Sequence, residues 1–308
     1  SFFKRRNERI YSGYWPFCLM YLAVFNFMQP QRLEGLDMPG SFTLWPTPAQ
    51  ELLISVSWTL VFEMYFYVGF TVLIALTGRH RDAVIPVAFI AVLAWTLHSY
   101  FVRRAYEPGT FEQLSHYEIY WASPYLLQFL AGALLAGWLR RRPMGPAWPY
   151  LGAGLLCWAL AGVINAQLFA GGLSRGDLVM WRVLVFGVPA ALVIIGLVRM
   201  EFAGHKITPG LSVLLGGASY ALYLGHPLLL QLAQRPGGLN RVHLKGTSDL
   251  EAQAAYLLLV IAIVVLSALH YRVIETPLHS LFKRLLGLGQ QGTGRRDAAG
   301  RPDALQPR

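Results

Sequence analysis

The chain has 308 residues, 55% hydrophobic and 14% charged, with a formal net charge of +10. Soluble domains carry about a quarter charged residues, and a water-soluble fold of this length needs more polar surface to cover its core. The basic residues stand in short runs between apolar blocks, the pattern of cytoplasmic membrane loops, which argues against nucleic-acid binding. Nine Trp, 15 Tyr and 17 Phe fit rings placed at lipid–water interfaces.

A helix needs about 20 apolar residues to cross the hydrocarbon core. Blocks of that kind occur at 12–28, 55–76, 83–101, 121–138, 149–170, 179–198, 211–233 and 254–274. Pro124 and Gln128 interrupt the fourth. Long continuous apolar runs exclude strands, which are short and alternate. The expected fold is therefore all-α, a polytopic transmembrane helix bundle of about eight spans. Cys18 and Cys157 both fall inside apolar stretches, with no CxxC or zinc spacing, and read as small core residues.

Most of the 26 basic residues fall on one set of alternate loops. They include Lys4, Arg5, Arg6, Arg9, the run Arg140–Arg142, Arg199, Lys283 and Arg284. By the positive-inside rule both termini are expected in the cytoplasm. The loops at 29–54, 102–120 and 234–253 then lie outside. Residues 287–308 have almost no apolar content and are expected to be a disordered cytoplasmic tail after a domain spanning 1–286.

Arg6 and Arg9 share a helical face at i, i+3. They serve either as a positive-inside anchor or as a phosphate clamp, since guanidinium forks match phosphate oxygens. Glu63 lies in the middle of an apolar span, where an ionisable group is costly unless it pairs or lines a wet cavity. Thr59, Glu63 and Tyr67 form one stripe at i, i+4, i+8, with Trp58 just before it. Arg182 near a span end either snorkels, pairs with a carboxylate such as Glu63, or faces an acceptor. Gly216, Ser219, Tyr223 and His226 fall on one face and form a small-residue groove ending in an imidazole beside Pro227. Arg272 and Glu275, again at i, i+3, form a local ion pair or help hold a cofactor entrance. No GxxxxGK[ST], GxGxxG after a strand or HExxH occurs, which removes the usual ATP-driven pumps, dinucleotide enzymes and zinc proteases.

These motifs, in order, resemble the acyltransferase-3 family of bacterial membrane O-acyltransferases, which includes exopolysaccharide and O-antigen acetyltransferases. FFKRRNERIY is similar to F-x-x-R-R-x-x-R-I-x-P, WTLVFEMYFY to W-[ST]-L-x-x-E-x-x-F-Y, and RVLVFGVPAAL to the Arg…F-G-x-P-A helix. LGGASYALYLGHP resembles L-G-x-x-S-Y-x-L-Y-L-x-H, and YRVIETP the closing Y-x-x-I-E-x-P. The resemblance implies a multi-pass protein of the bacterial inner membrane. Its donor would be cytoplasmic acyl-CoA, acetyl-CoA in particular, with no metal, and its acceptor a hydroxyl on a cell-surface or lipid-linked glycan. Arg6 and Arg9 would contact donor phosphates. Glu63, supported by Tyr67, would orient a base or the acceptor hydroxyl, while Trp58, Thr59, Arg182, Ser219, Tyr223 and His226 would line the substrate cavity.

Family members normally carry two further N-terminal helices, the first bearing the histidine assigned the catalytic role. The sequence opens Ser1-Phe2-Phe3-Lys4 without a signal-peptide layout, so it is expected to lack that part. A rival reading is a transporter or flippase for a lipid-linked sugar, with Glu63 and Arg182 as a translocation pair. Such proteins are commonly built from paired repeats, and none is visible here.

Overall fold

The computed structural model describes residues 2–104, 119–120, 123–169, 172, 178–205, 209–233 and 249–285. The expected tail at 287–308 and most of the loops at 102–120 and 234–253 lie outside the described residues. All regular structure among the described residues is helical, with no strand.

The main helices are α1 (Phe2–Met28), α2 (Met38–Thr43), α3 (Trp58–Thr77), α4 (Arg81–Phe101) and α5 (Tyr125–Arg141). They continue with α6 (Trp148–Leu168), α7 (Val179–Phe202), α8 (Pro209–Ala233), α9 (Asp249–His270) and α10 (Thr276–Leu285). A π-helical turn, Tyr271–Glu275, joins the last two.

Each of the eight apolar blocks holds a long helix. Six stretches are long and apolar enough to cross a membrane: Ser55–Thr77, Asp82–Phe101, Trp148–Leu168, Val179–Phe202, Ser212–Ala233 and Gln253–Leu285. Their outward side chains, such as Leu76, Val87, Ile90, Leu156 and Leu258, are apolar and exposed, as a lipid-facing surface requires. The blocks at 12–28 and 121–138 are outside this set. Basic residues occupy the first turns of α1. Pro124 delays the start of α5, leaving 17 residues that end in Arg140 and Arg141. At 1.5 Å per residue that gives about 25 Å, short of a hydrocarbon core of about 30 Å.

The chain divides into two compact units, one of Ser1–Trp45, Ala49–Thr59 and Gly210–Arg308, the other of Pro46–Pro48 and Leu60–Pro209. Most of the stretch at 29–54, expected as a loop on the outer side, lies in the first unit and carries helical structure at Pro30–Leu33 and Met38–Thr43. Asp37 caps α2 by accepting from the Gly40 amide at 2.9 Å, and the helix ends at Leu44 in the left-handed region. A helix leaves its last four carbonyls without intrahelical partners. Here Gly40 O accepts from the Trp45 amide, and α1 supplies donors for the other three. Tyr14 Oη donates to Ser41 O (2.7 Å), Trp15 Nε1 to Phe42 O (3.1 Å) and Tyr11 Oη to Thr43 O (2.6 Å). Ser41 Oγ in turn accepts from the amide of Leu53 at 2.8 Å, and Leu52, Leu53 and Ile54 are buried. Cys18, one turn after Tyr14, is a buried free thiol, and Cys157 a half-buried one.

In the second unit α6 and α7 approach closely through glycines. A side chain at Gly154 would meet the Val193 backbone at 2.8 Å, and one at Gly196 the Leu151 backbone at 2.8 Å. Small residues are what allow membrane helices to come so near. The α4–α5 pair is joined by an exposed ion pair, Arg141 Nη2 to Asp82 Oδ2 at 3.3 Å, which adds little stability. Gln128, which breaks the apolar pattern of α5, donates to the Val183 carbonyl at 3.3 Å and ties α5 to α7.

Tyr14 is fully buried, so Tyr14→Phe would leave the Ser41 carbonyl without its donor. The expected cost is about 1–3 kcal/mol. It would be read as a lowered unfolding midpoint in detergent, and an unchanged midpoint would show that the α1–α2 joint does not depend on this bond.

Candidate functional site

In the first unit, candidate residues meet where α3 begins and α8 passes it. Tyr223 Oη donates to Val56 O at 2.6 Å and lies 2.7 Å from Thr59 Oγ1. Trp58 is half-buried at the first residue of α3. Pro227 has no N–H, so the Tyr223 carbonyl four residues earlier loses its helical donor. His226 Nδ1 lies 2.8 Å from that carbonyl and 3.2 Å from Leu222 O. Nearby, Tyr21 Oη accepts from the Leu228 amide (3.1 Å) and donates to Leu224 O (3.0 Å), repairing the ladder around the proline.

The groove anticipated along Gly216, Ser219, Tyr223 and His226 differs in kind from the close-packed one. Gly216 and Ser219 are exposed, and Ser219 Oγ is satisfied by Gly216 O at 2.8 Å. The tight face of α8 is the next one round. Gly217 lies against the Tyr271 ring, Tyr220 Oη reaches Ile10 O at 3.1 Å over Gly13, and Ala221, Leu224 and Leu228 are buried. The anticipated stripe is thus the open side of α8, with Tyr223 and His226 half-buried along it.

At the foot of the same unit, α1 runs as helix through both arginines, so Arg6 and Arg9 do share a face. Arg6 is half-buried. Arg9 is exposed, and its guanidinium makes no hydrogen bond or salt bridge with the described residues, acting on Glu8 and Glu275 only through its charge. The buried carboxyl of Glu8 lies 2.5 Å from His279 Nδ1 of α10. Burial pushes that carboxyl up from the ordinary carboxylate range, while Lys283 and Arg9 pull it down. Arg272 and Glu275 do not pair. The π turn breaks the i, i+3 register and directs Glu275 toward Gly13 and Arg9.

In the second unit, the Tyr67 hydroxyl donates to Glu63 Oε1 one turn below it on α3. This is the hydrogen bond or ion pair that Glu63 makes among the described residues, so the proposed Glu63–Arg182 pair does not form. The Arg182 guanidinium instead lies 5.8 Å from the Tyr125 ring centre. Aromatic rings surround the carboxylate's helix: Phe62 packs on Tyr120 (4.4 Å) and Tyr125 (5.3 Å), and Phe66 and Phe70 on Phe129. A carboxyl held by one phenol in apolar surroundings has lone pairs left for another donor.

The model of the acyltransferase-3 family, described as an acyltransferase domain, matches residues 1–272. The chain belongs to this family. The stretch takes in every motif quoted above except the last five residues of YRVIETP, Glu275 among them. Among curated proteins, the chain is similar to "Exopolysaccharide production protein ExoZ" of Rhizobium meliloti (strain 1021), at 27% identity over 202 residues. That alignment covers 65% of this chain and 54% of the relative, so the chain spans about half the length of the curated relative it matches. No solved structure matches.

One buried charge carries no signal in the sequence beyond a place in a basic loop count. Arg199 on α7 is 6% exposed, with its guanidinium 5.1 Å from the Trp138 ring centre and 4.7 Å from that of Tyr150. Nη1 donates to Pro146 O at 3.3 Å. Gly145, at φ +147°, leaves room for the guanidinium where a Cβ would approach within 2.9 Å. The rings that hold it come from α5 and α6, far away in sequence. Stacking between two rings needs a planar cation, so Arg199→Lys is expected to cost about 1–2 kcal/mol despite keeping the charge. Thermal unfolding in detergent measures this, and a lysine variant as stable as the parent would remove stacking as the reason for the arginine.

Proposed function

We propose that this chain is the membrane domain of an O-acyltransferase that moves an acyl group, most simply acetyl, from cytoplasmic acyl-CoA to a hydroxyl of a cell-surface or lipid-linked glycan. Family membership and the similarity to an exopolysaccharide production protein support the reaction class. The observation that carries the reading is the Tyr67–Glu63 hydrogen bond inside an otherwise apolar helix. The proposed topology has about eight spans in the bacterial inner membrane with both termini inside, which puts the Arg6–Arg9 foot on the donor side and His226 toward the acceptor side.

In this reading Arg6 and Arg9 hold the donor phosphates. The exposed Arg9 guanidinium, which forms no salt bridge with a described residue, fits a cation that can reach a ligand. The acceptor oxygen attacks the thioester carbonyl carbon, the C–S bond breaks, and coenzyme A leaves as the thiol once it has taken up the proton the hydroxyl gave away. Glu63, oriented by Tyr67, positions the acceptor hydroxyl or the base that receives its proton. The family motifs assign substrate contacts to Trp58, Thr59, Ser219, Tyr223 and His226 of the first unit and to Arg182 of the second. The flippase alternative relied on Glu63 and Arg182 as a pair, and nothing now favours it.

Glu63→Gln in the full-length protein is expected to lower acyl transfer at least about 100-fold while leaving the protein in the membrane. Transfer is measured with labelled acetyl-CoA and native membranes carrying glycan. Full activity would take Glu63 out of the mechanism. Arg6→Ala combined with Arg9→Ala is expected to raise the KM for acetyl-CoA about tenfold or more, the weight of lost charge-assisted bonds. An unchanged KM would return the pair to a topological anchor.

A further inference from the structure

Both atoms within hydrogen-bonding range of His226 Nδ1 are backbone carbonyls, Tyr223 O at 2.8 Å and Leu222 O at 3.2 Å. A carbonyl only accepts, so Nδ1 carries the ring proton. In the neutral ring Nε2 is then a bare acceptor. No described residue donates to it. The arrangement is imposed by Pro227, whose missing N–H leaves the Tyr223 carbonyl in need of a donor and so fixes which nitrogen is protonated. The ring is half-buried on the open side of α8, 6.0 Å from the Tyr223 ring. Tyr223 itself is held in place through Val56 and Thr59.

Nε2 is left open on that side of the helix, with lone-pair capacity for a hydroxyl donor that reaches it. We infer that His226 Nε2 accepts a hydrogen bond from a hydroxyl of the glycan acceptor and so orients the sugar, with Pro227 acting as the device that places the proton of the neutral ring on Nδ1. This rests on the glycan O-acylation reading and assigns the acceptor contact to one atom.

The two ring nitrogens can be tested separately. Asparagine places an amide near Nδ1 and can cap the Tyr223 carbonyl, but leaves nothing at Nε2. Glutamine reaches the Nε2 position with an oxygen that accepts. His226→Asn and His226→Gln are expressed as the full-length protein in cells lacking their own copy. Base-released acetate from the surface polysaccharide reports acceptor-side transfer, and labelled acetyl-CoA bound to isolated membranes reports the donor side. His226→Asn is expected to match wild type in membrane abundance, unfolding midpoint and acetyl-CoA binding, yet to lose about tenfold in polysaccharide ester, the size of one hydrogen bond. His226→Gln is expected to retain clearly more ester than His226→Asn. Wild-type ester levels in His226→Asn would overturn the inference, as would its loss from the membrane or an equal loss of ester in both variants. A wild-type protein that adds no ester would instead sink the O-acylation reading, and this inference with it.

Discussion

A carbonyl without a donor is affordable in water and costly away from it, and the first unit is organised around such carbonyls. The short helix α2 ends with four of them. It can stand there because Tyr11, Tyr14 and Trp15 on one side of α1 reach three and a following amide takes the fourth. Pro227 creates the same deficit inside α8, and the repair is again by side chains, His226 within the helix and Tyr21 from α1. One helix thus serves as the donor bank for two others. Its aromatic residues are spaced so that their polar tips, more than their ring area, decide the packing.

Charge is handled differently in each place it occurs. At the surface, Arg141 and Asp82 meet in a pair that solvent screens. Arg199 is withdrawn from water and held by two ring faces and a carbonyl, with no carboxylate partner among the described residues. Glu63 keeps one phenol as its hydrogen-bond partner, and the carboxyl of Glu8 lies beside the His279 imidazole. Groups with satisfied geometry stiffen the fold. Groups with capacity to spare, Glu63 and Arg9 among them, are those to which the proposed function assigns substrate contacts.

The all-helical architecture was legible in the sequence because apolar run length is a one-dimensional property: each block from 12–28 to 254–274 holds a helix. Resemblance to the family was likewise legible, since ordered motifs such as WTLVFEMYFY and LGGASYALYLGHP are read in one dimension. The shared stripe of Glu63 and Tyr67 followed from i, i+4 spacing, and the hydrogen bond between them is what the structure adds. Contacts between distant segments were not legible. The stripe 216, 219, 223, 226 was correctly placed on one face, but periodicity could not tell that the neighbouring face at 217, 220, 221, 224 would be the packed one, which depends on Tyr271 and Ile10. Arg199 gave no signal because its rings come from two other helices. The proposed pairing of Arg182 with Glu63 failed because opposite charge says nothing about reach, and Tyr67 and Tyr125 were nearer.

The π turn at Tyr271–Glu275 has a consequence for phase. An α-helix advances about 100° per residue, and a π turn accommodates one residue more than the α count. Everything after it is therefore rotated by roughly that angle relative to an uninterrupted helix. That rotation presents His279 to Glu8 and Phe282 to Trp15, and takes Glu275 away from Arg272. A single extra residue in the winding thus acts as a key signature for the last ten, setting which notes of α10 are sounded against α1.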